Sequence, residues 1–127
     1  MLPGGLTAFL KATPASPVPD YQLLFRAVPE GAQPYFPGVR APYQDGFSCR
    51  SVLLHPQSRG WLTLRSADPA AAPKVQQNFL ATERDRQLIR DGVRLVREIG
   101  RQSALAEHIA QELRPGAMGD SDAEIDA

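Results

Sequence analysis

The sequence predicts an α+β domain: a mostly antiparallel sheet with one long helix packed across a face. Two observations carry this. Apolar and β-branched runs near residues 21, 47, 61 and 74 are separated by Pro-, Gly- and Asp-containing turns, as expected of strands joined by hairpins and loops. From Thr82 to Arg101 the period changes, and apolar residues recur at helical spacing.

Residues 1–19 read as an irregular lead-in, with Gly4-Gly5, a short apolar piece at Leu6 to Leu10 and an extended Pro14 to Pro19 segment. Residues 20–80 hold the strands. Tyr21 to Ala27 is the first candidate, and Phe47 to Leu54 the second. Pro29, Gly31, Pro34, Pro37, Gly38, Pro42 and Gly46 make the connection between them long and turn-rich, a type of segment that often carries function as a lid or a domain contact. Arg59-Gly60 marks a turn before the strand Trp61–Leu64. Ala67-Asp68-Pro69 closes that strand, because the Asp carboxylate can bond the backbone two residues on and Pro69 forces extended geometry on Asp68. Pro73 starts the return strand through Asn78.

Residues 82–114 read as helical. Thr82 is an N-cap, worth about 1 kcal/mol, with Asp85 three positions on. Leu88, Ile89, Val93, Val96 and Ile99 form one buried stripe. Gly92 lies in that stripe at a cost of about 1 kcal/mol relative to Ala, which close packing on a sheet explains. Ser103 resembles an N-cap for a short helix through Glu107, and a further strand is expected at His108 to Leu113. In residues 115–127, Asp120-Ser121-Asp122-Ala123-Glu124 reads as a helix start that breaks off early, or as an acidic tail.

At 127 residues the chain suits one domain that buries about two-thirds of its unfolded surface. Its 43% hydrophobic and 22% charged residues are those of a globular protein. Fourteen basic residues balance fourteen acidic ones, so no global charge draws it to nucleic acid or an anionic membrane. Arg86, Arg90, Arg94, Arg97 and Arg101 form a stripe along the helix, but Asp85, Asp91 and Glu98 interleave it. Pairing of Arg94 with Asp91 and Glu98 makes this a solvated or domain-contacting face. Cys49 is the single cysteine, which excludes an internal disulfide and points to a reducing, cytoplasmic setting. No run reaches the roughly twenty apolar residues of a transmembrane helix. His55 and His108 share neither a metal-ligand spacing nor a carboxylate cluster, and His55-Pro56 reads as a structural strand end, so no metal site is expected. A lone Cys49 in an apolar strand reads as a small buried hydrophobe.

The wording of Ser58-Arg59-Gly60, Leu64-Arg65-Ser66-Ala67-Asp68-Pro69, Pro73 and Asn78-Phe79-Leu80 resembles the substrate-domain signature of the glucose-methanol-choline (GMC) family of flavin-dependent oxidoreductases, in particular its choline-dehydrogenase-like branch. Asp20-Tyr21-Gln22, Gly46-Phe47 and Leu53-Leu54-His55-Pro56 before it are similar to the family's order and spacing. So are Asp85, Gly92-Val93-Arg94-Leu95, Arg97-Glu98-Ile99, Glu112-Leu113 and Pro115-Gly116 after it.

The resemblance implies an incomplete substrate-binding domain, with sheet edges unpaired or apolar surface exposed and stability marginal. It implies FAD as the cofactor of the parent enzyme, a small alcohol as substrate, and a flavin domain as the missing partner. Yet the chain has no Gly-x-Gly-x-x-Gly turn, and the family's catalytic His lies downstream of the Pro-Gly segment and the acidic helix start. No catalytic or cofactor-binding residue is therefore assigned here. The resemblance sets the strand from Asp20 to Ala27 on the sheet that faces the flavin. Alternation then makes Gln22, Leu24 and Arg26 the substrate-lining residues. Several members carry His where Leu24 stands, a departure that argues against a choline-like preference and for a less polar alcohol; the alternative is that Leu24 packs in the core. The implied function is hydride transfer from a CH–OH carbon to flavin in the parent enzyme, with this chain supplying pocket walls and inactive alone. The competing expectation is a free-standing, non-catalytic binding domain from a truncated gene.

Overall fold

The structure is a computed structural model that describes residues 5–116, 119 and 121–126. Its elements in chain order are β1 (Leu6–Leu10), β2 (Tyr21–Arg26), β3 (Ser48–Leu53), β4 (Trp61–Thr63), β5 (Lys74–Gln76), α1 (Glu83–Gly100), α2 (Ser103–Ala106) and α3 (Asp122–Ile125). The class is α+β, as the sequence predicts, with every strand pair antiparallel. The strands do not form a single sheet, however. β1, β2 and β3 make a three-stranded meander, whereas β4 and β5 form a separate hairpin.

β1 corrects the irregular reading of the lead-in. The proline-rich segment turns back at Thr13–Ser16, where the Ser16 N–H donates to the Thr13 carbonyl at 3.0 Å. Asp20 then fastens the turn: its carboxylate accepts from the Ala12 N–H at 2.8 Å, and its own N–H donates to Leu10 at 2.9 Å. Leu10 is thereby set opposite Tyr21, and the remaining pairs follow down to Leu6 opposite Phe25. The Ser16 hydroxyl and the Ala12 N–H hold the Asp20 carboxyl below its ordinary range.

The sheet splits at Gln57–Ser58 because their N–H groups donate to the Asp85 carboxylate rather than to a neighbouring strand. Beyond that point the β4–β5 hairpin needs a glycine. A Cβ on Gly60 would lie 2.2 Å from the Gln76 carbonyl oxygen and 2.5 Å from that of Gln77. The Asp68 turn forms as expected, its carboxylate accepting from the Ala70 N–H at 2.9 Å.

α1 starts where the sequence places it, with the Thr82 hydroxyl accepting from the Asp85 N–H at 3.2 Å. It lies across β3, and the two come close at Gly92, where a Cβ would meet Ser51 Oγ at 2.3 Å. The apolar stripe is only half-buried, and the buried positions of α1 are Asp85, Arg90 and Gly92. α2 is capped by Gln102, with Ser103 as its first residue and no side-chain cap bond. Residues 108–113 carry no strand, because Glu112 is drawn to Arg97 instead. Ser121 caps α3 in a complete capping box with Glu124, so the acidic segment is a helix start. Asp120 lies outside the described residues.

Among the described residues the buried apolar core consists of Tyr21, Leu23 and Val28. The chain exposes 9477 Å² in all. A folded monomer of 13.9 kDa would keep roughly 6,700 Å². Burial on folding is thus about half of the extended-chain surface rather than two-thirds. The difference lies in side chains such as Leu6, Phe9, Leu62, Leu64, Val75 and Phe79, all more than half exposed.

Candidate functional site

The two faces of the meander are chemically unlike. Tyr21, Leu23 and Phe25 alternate with Gln22, Leu24 and Arg26, and the first set is turned toward α1, where Tyr21 reaches Gly92. The opposite face is open. Register places Thr7, Leu24 and Arg50 in one cross-strand row and Phe9, Gln22 and Val52 in the next, while Arg26 pairs with Ser48. Phe9 and Val52 are exposed on this face.

At one end of the face lies an open cavity of about 440 Å³. Leu24, Arg26, Thr7, Ser48, Arg50 and Glu30 line it, together with backbone of the 28–32 loop. The loop is tied down where the Ser48 hydroxyl donates to the Val28 carbonyl at 3.2 Å, and where Glu30 forms an ion pair with Arg50. Gly31 turns it at φ 78°. Two of the three residues singled out in the sequence, Leu24 and Arg26, therefore meet at the cavity; Gln22 shares their face but not the lining. Sequence reasoning missed Thr7, Glu30 and Arg50. The signal for Thr7 and Arg50 is the pairing register and that for Glu30 is its ion pair across the loop, neither of which the order of residues displays.

The Ser58–Leu80 signature has a structural role. Asp85 is fully buried and accepts from the Gln57 N–H at 2.9 Å, the Ser58 N–H at 2.7 Å and the Ser58 hydroxyl. The Ser58 hydroxyl, with those backbone donors, holds its carboxyl far below the usual range. Asn78, in the left-handed region at φ 54°, donates from its side-chain amide to the Arg59 carbonyl at 2.9 Å, which closes the base of the hairpin. Lys74 sits 5.2 Å above the Trp61 ring.

The arginine stripe is solvated only in part: Arg101 is exposed and Arg94 pairs with Asp91 as expected, whereas Arg90 and Arg97 are drawn into an internal clamp. Arg90 is buried and reaches Asp126 through Nε at 2.9 Å, Glu83 at 2.7 Å and Asp122 at 3.4 Å. Arg94 joins Asp91 and Asp122, while Arg97 joins Glu112 and the Gly119 carbonyl. Glu98 accepts from Gln102.

His55 is exposed, and His108 stands 3.6 Å from Glu107 at the surface. Burial pushes the Cys49 thiol up, away from a reactive thiolate. Among the described residues no cluster of His, Cys, Asp or Glu could hold a metal, and no helix is long and apolar enough to cross a membrane.

A flavin dinucleotide needs a helix start that offers free N–H groups to its pyrophosphate. The start of α1 does not fit, because Thr82 caps it and Glu83 and Asp85 bring negative charge there.

A family model described as GMC oxidoreductase matches residues 56–127. The mitochondrial choline dehydrogenase of Mus musculus is 40% identical over 119 residues, covering 94% of this chain and 19% of its own length. The oxygen-dependent choline dehydrogenase of Vibrio vulnificus (strain YJ016) is 47% identical over 81 residues, or 64% of this chain and 14% of that protein. That of Rhizobium johnstonii is 38% identical over 120 residues, or 94% and 21%. The chain spans about a fifth of the length of the curated relatives it matches.

Proposed function

The chain belongs to the GMC oxidoreductase family, and on that premise we propose that it is the substrate-side portion of an FAD-dependent enzyme that oxidises the CH–OH group of an alcohol. Residues 1–127 act as part of a substrate-binding domain, and the flavin is held by protein outside them. The observation that carries this is the open face of the β1–β2–β3 meander, opposite α1, where Leu24 and Arg26 line a cavity. A sheet covered by a helix on one side and left open, partly apolar, on the other is suited to close a pocket built jointly with another domain. The surplus of exposed surface, roughly 2,800 Å² over a monomer of this mass, supports the same reading.

In this arrangement the chain contributes shape and charge to the pocket, and the proton and hydride of the alcohol leave to groups beyond it. Alone it is inactive. The test is expression of the gene extended on both sides of these residues, assayed with an alcohol panel and an artificial electron acceptor. Acceptor reduction that is lost when β2 is altered at Leu24 supports the proposal. A flavoprotein whose turnover ignores every change on this face overturns it. Stoichiometric flavin bound to the 127-residue chain itself would also overturn the division of labour.

A further inference from the structure

We infer that the cavity on the open sheet face selects an alcohol that carries an anionic group, and disfavours a cationic alcohol such as choline. This rests on the proposal that the face lines the substrate pocket. Choline is the substrate printed in the names of the relatives, so the inference separates this chain from them.

Three observations carry it. First, the ionisable residues of the lining are Arg26, Arg50 and Glu30. Glu30 is taken up by Arg50, so the guanidinium of Arg26, exposed and with no ion pair among the described residues, leaves an excess of one positive charge. Second, a quaternary ammonium is recognised over aromatic faces. The one aromatic residue of the lining, Phe25, belongs to the other face of β2, where its ring pairs with that of Phe47 at 5.1 Å between centroids, so no aromatic face is turned to the cavity. Third, Leu24 and Arg26 are successive residues on one face of β2, which separates them by roughly 7 Å. A short carbon chain laid over Leu24 would bring its charged end to Arg26, where a guanidinium suits a carboxylate through two parallel hydrogen bonds. Thr7 and Ser48 flank that line with hydroxyl groups.

Amide chemical shifts of the isotope-labelled 127-residue chain, titrated with three probes, test this. The probes are gamma-hydroxybutyrate, choline and the neutral tertiary-butyl isostere of choline. Gamma-hydroxybutyrate is expected to move the amides around Leu24, Arg26 and Arg50 with an affinity about tenfold above that of choline, and the preference should shrink with added salt. Arg26→Gln should level the two, and Arg26→Lys should keep most of the preference. Choline binding as tightly as gamma-hydroxybutyrate would overturn the inference while leaving the pocket in place. So would anion-induced shifts that survive Arg26→Gln. The neutral isostere reports the pocket without charge: if none of the three probes moves the β2 amides either in this chain or in the flavoprotein extended on both sides of it, the placement of the pocket fails as well.

Discussion

Replacing Gly92 with Ala should destabilise the protein, although it improves an exposed-helix propensity by about 1 kcal/mol. The added Cβ would lie 2.3 Å from Ser51 Oγ and 3.1 Å from Ser51 Cβ, both closer than real contacts allow. Forcing a methyl group into such a contact costs about 1–3 kcal/mol, so the net change runs from near zero to a loss of about 2 kcal/mol. The sign should reverse when Ser51 is Gly. With the hydroxyl and its Cβ gone, the nearest neighbour is Tyr21 Cε1 at 3.5 Å, an ordinary contact, and Ala should then gain its full propensity of about 1 kcal/mol. Ser51 Oγ has no hydrogen-bond partner among the described residues, so its removal forfeits no bond there. The backbone cost of Gly in β3 enters both arms of the comparison and cancels. Urea unfolding of the four proteins, followed by helical circular dichroism, measures the coupling, expected at about 1–3 kcal/mol. If Gly92→Ala shifts the midpoint by the same amount in both backgrounds, α1 does not press on β3 at this point, and the reasoning is refuted.

Asp85→Asn removes the charge and one acceptor from the base of the hairpin. Exchange of the Gln57 and Ser58 amides should quicken about tenfold while β2 amides keep their protection; unchanged exchange would contradict the clasp. Burial, with the charges of Asp91 and Asp20 behind it, pushes the Tyr21 phenol from 10.0 up to about 12. A folded value above the unfolded one stabilises fully below pH 10.0 and is lost as the pH rises toward about 12, so urea midpoints should fall across that window in the native chain and not in Tyr21→Phe. Glu83, held below 4.5 by Arg86 and Arg90, and Asp126, held below 3.8 by Arg90, act in the opposite direction. Their stabilisation is present above those ordinary values and is lost as the pH falls through the depressed ones. Amides of α3 should therefore exchange freely in acid, or in high salt at neutral pH, while the meander remains protected; joint loss of both would refute an ionic attachment.

What was legible in the sequence was local. Thr82 and its following period announce α1 to within a residue, Gly92 announces close packing, and Asp68-Pro69 announces a turn. The alternation at Tyr21–Arg26 sorts the two faces of β2 correctly. What was not legible depends on partners distant in sequence. β1 exists because Asp20 reaches back eight residues to Ala12, through a proline-rich stretch whose composition reads as irregular. The sheet splits because a carboxylate on α1 captures the N–H groups of Gln57 and Ser58, a bond that no strand pattern encodes. The arginines of α1 show helical spacing, but nothing local says that Asp122 and Asp126 will meet them. At the cavity, Leu24 and Arg26 follow from one strand, whereas Arg50 joins them through register and Glu30 through a loop closure.

The sparse core has a calorimetric consequence. Heat capacity rises on unfolding mainly because apolar groups become hydrated, by about 12–15 cal/mol/K per residue in ordinary domains. Here Leu6, Val39, Leu64 and Phe79 are hydrated already, and among the described residues the buried core adds only Tyr21, Leu23 and Val28. The chain should show a smaller heat-capacity step than its length implies and a correspondingly flat dependence of stability on temperature. On the proposal that further protein covers the open faces, the missing part of that step should appear instead as a negative heat-capacity change when the two associate.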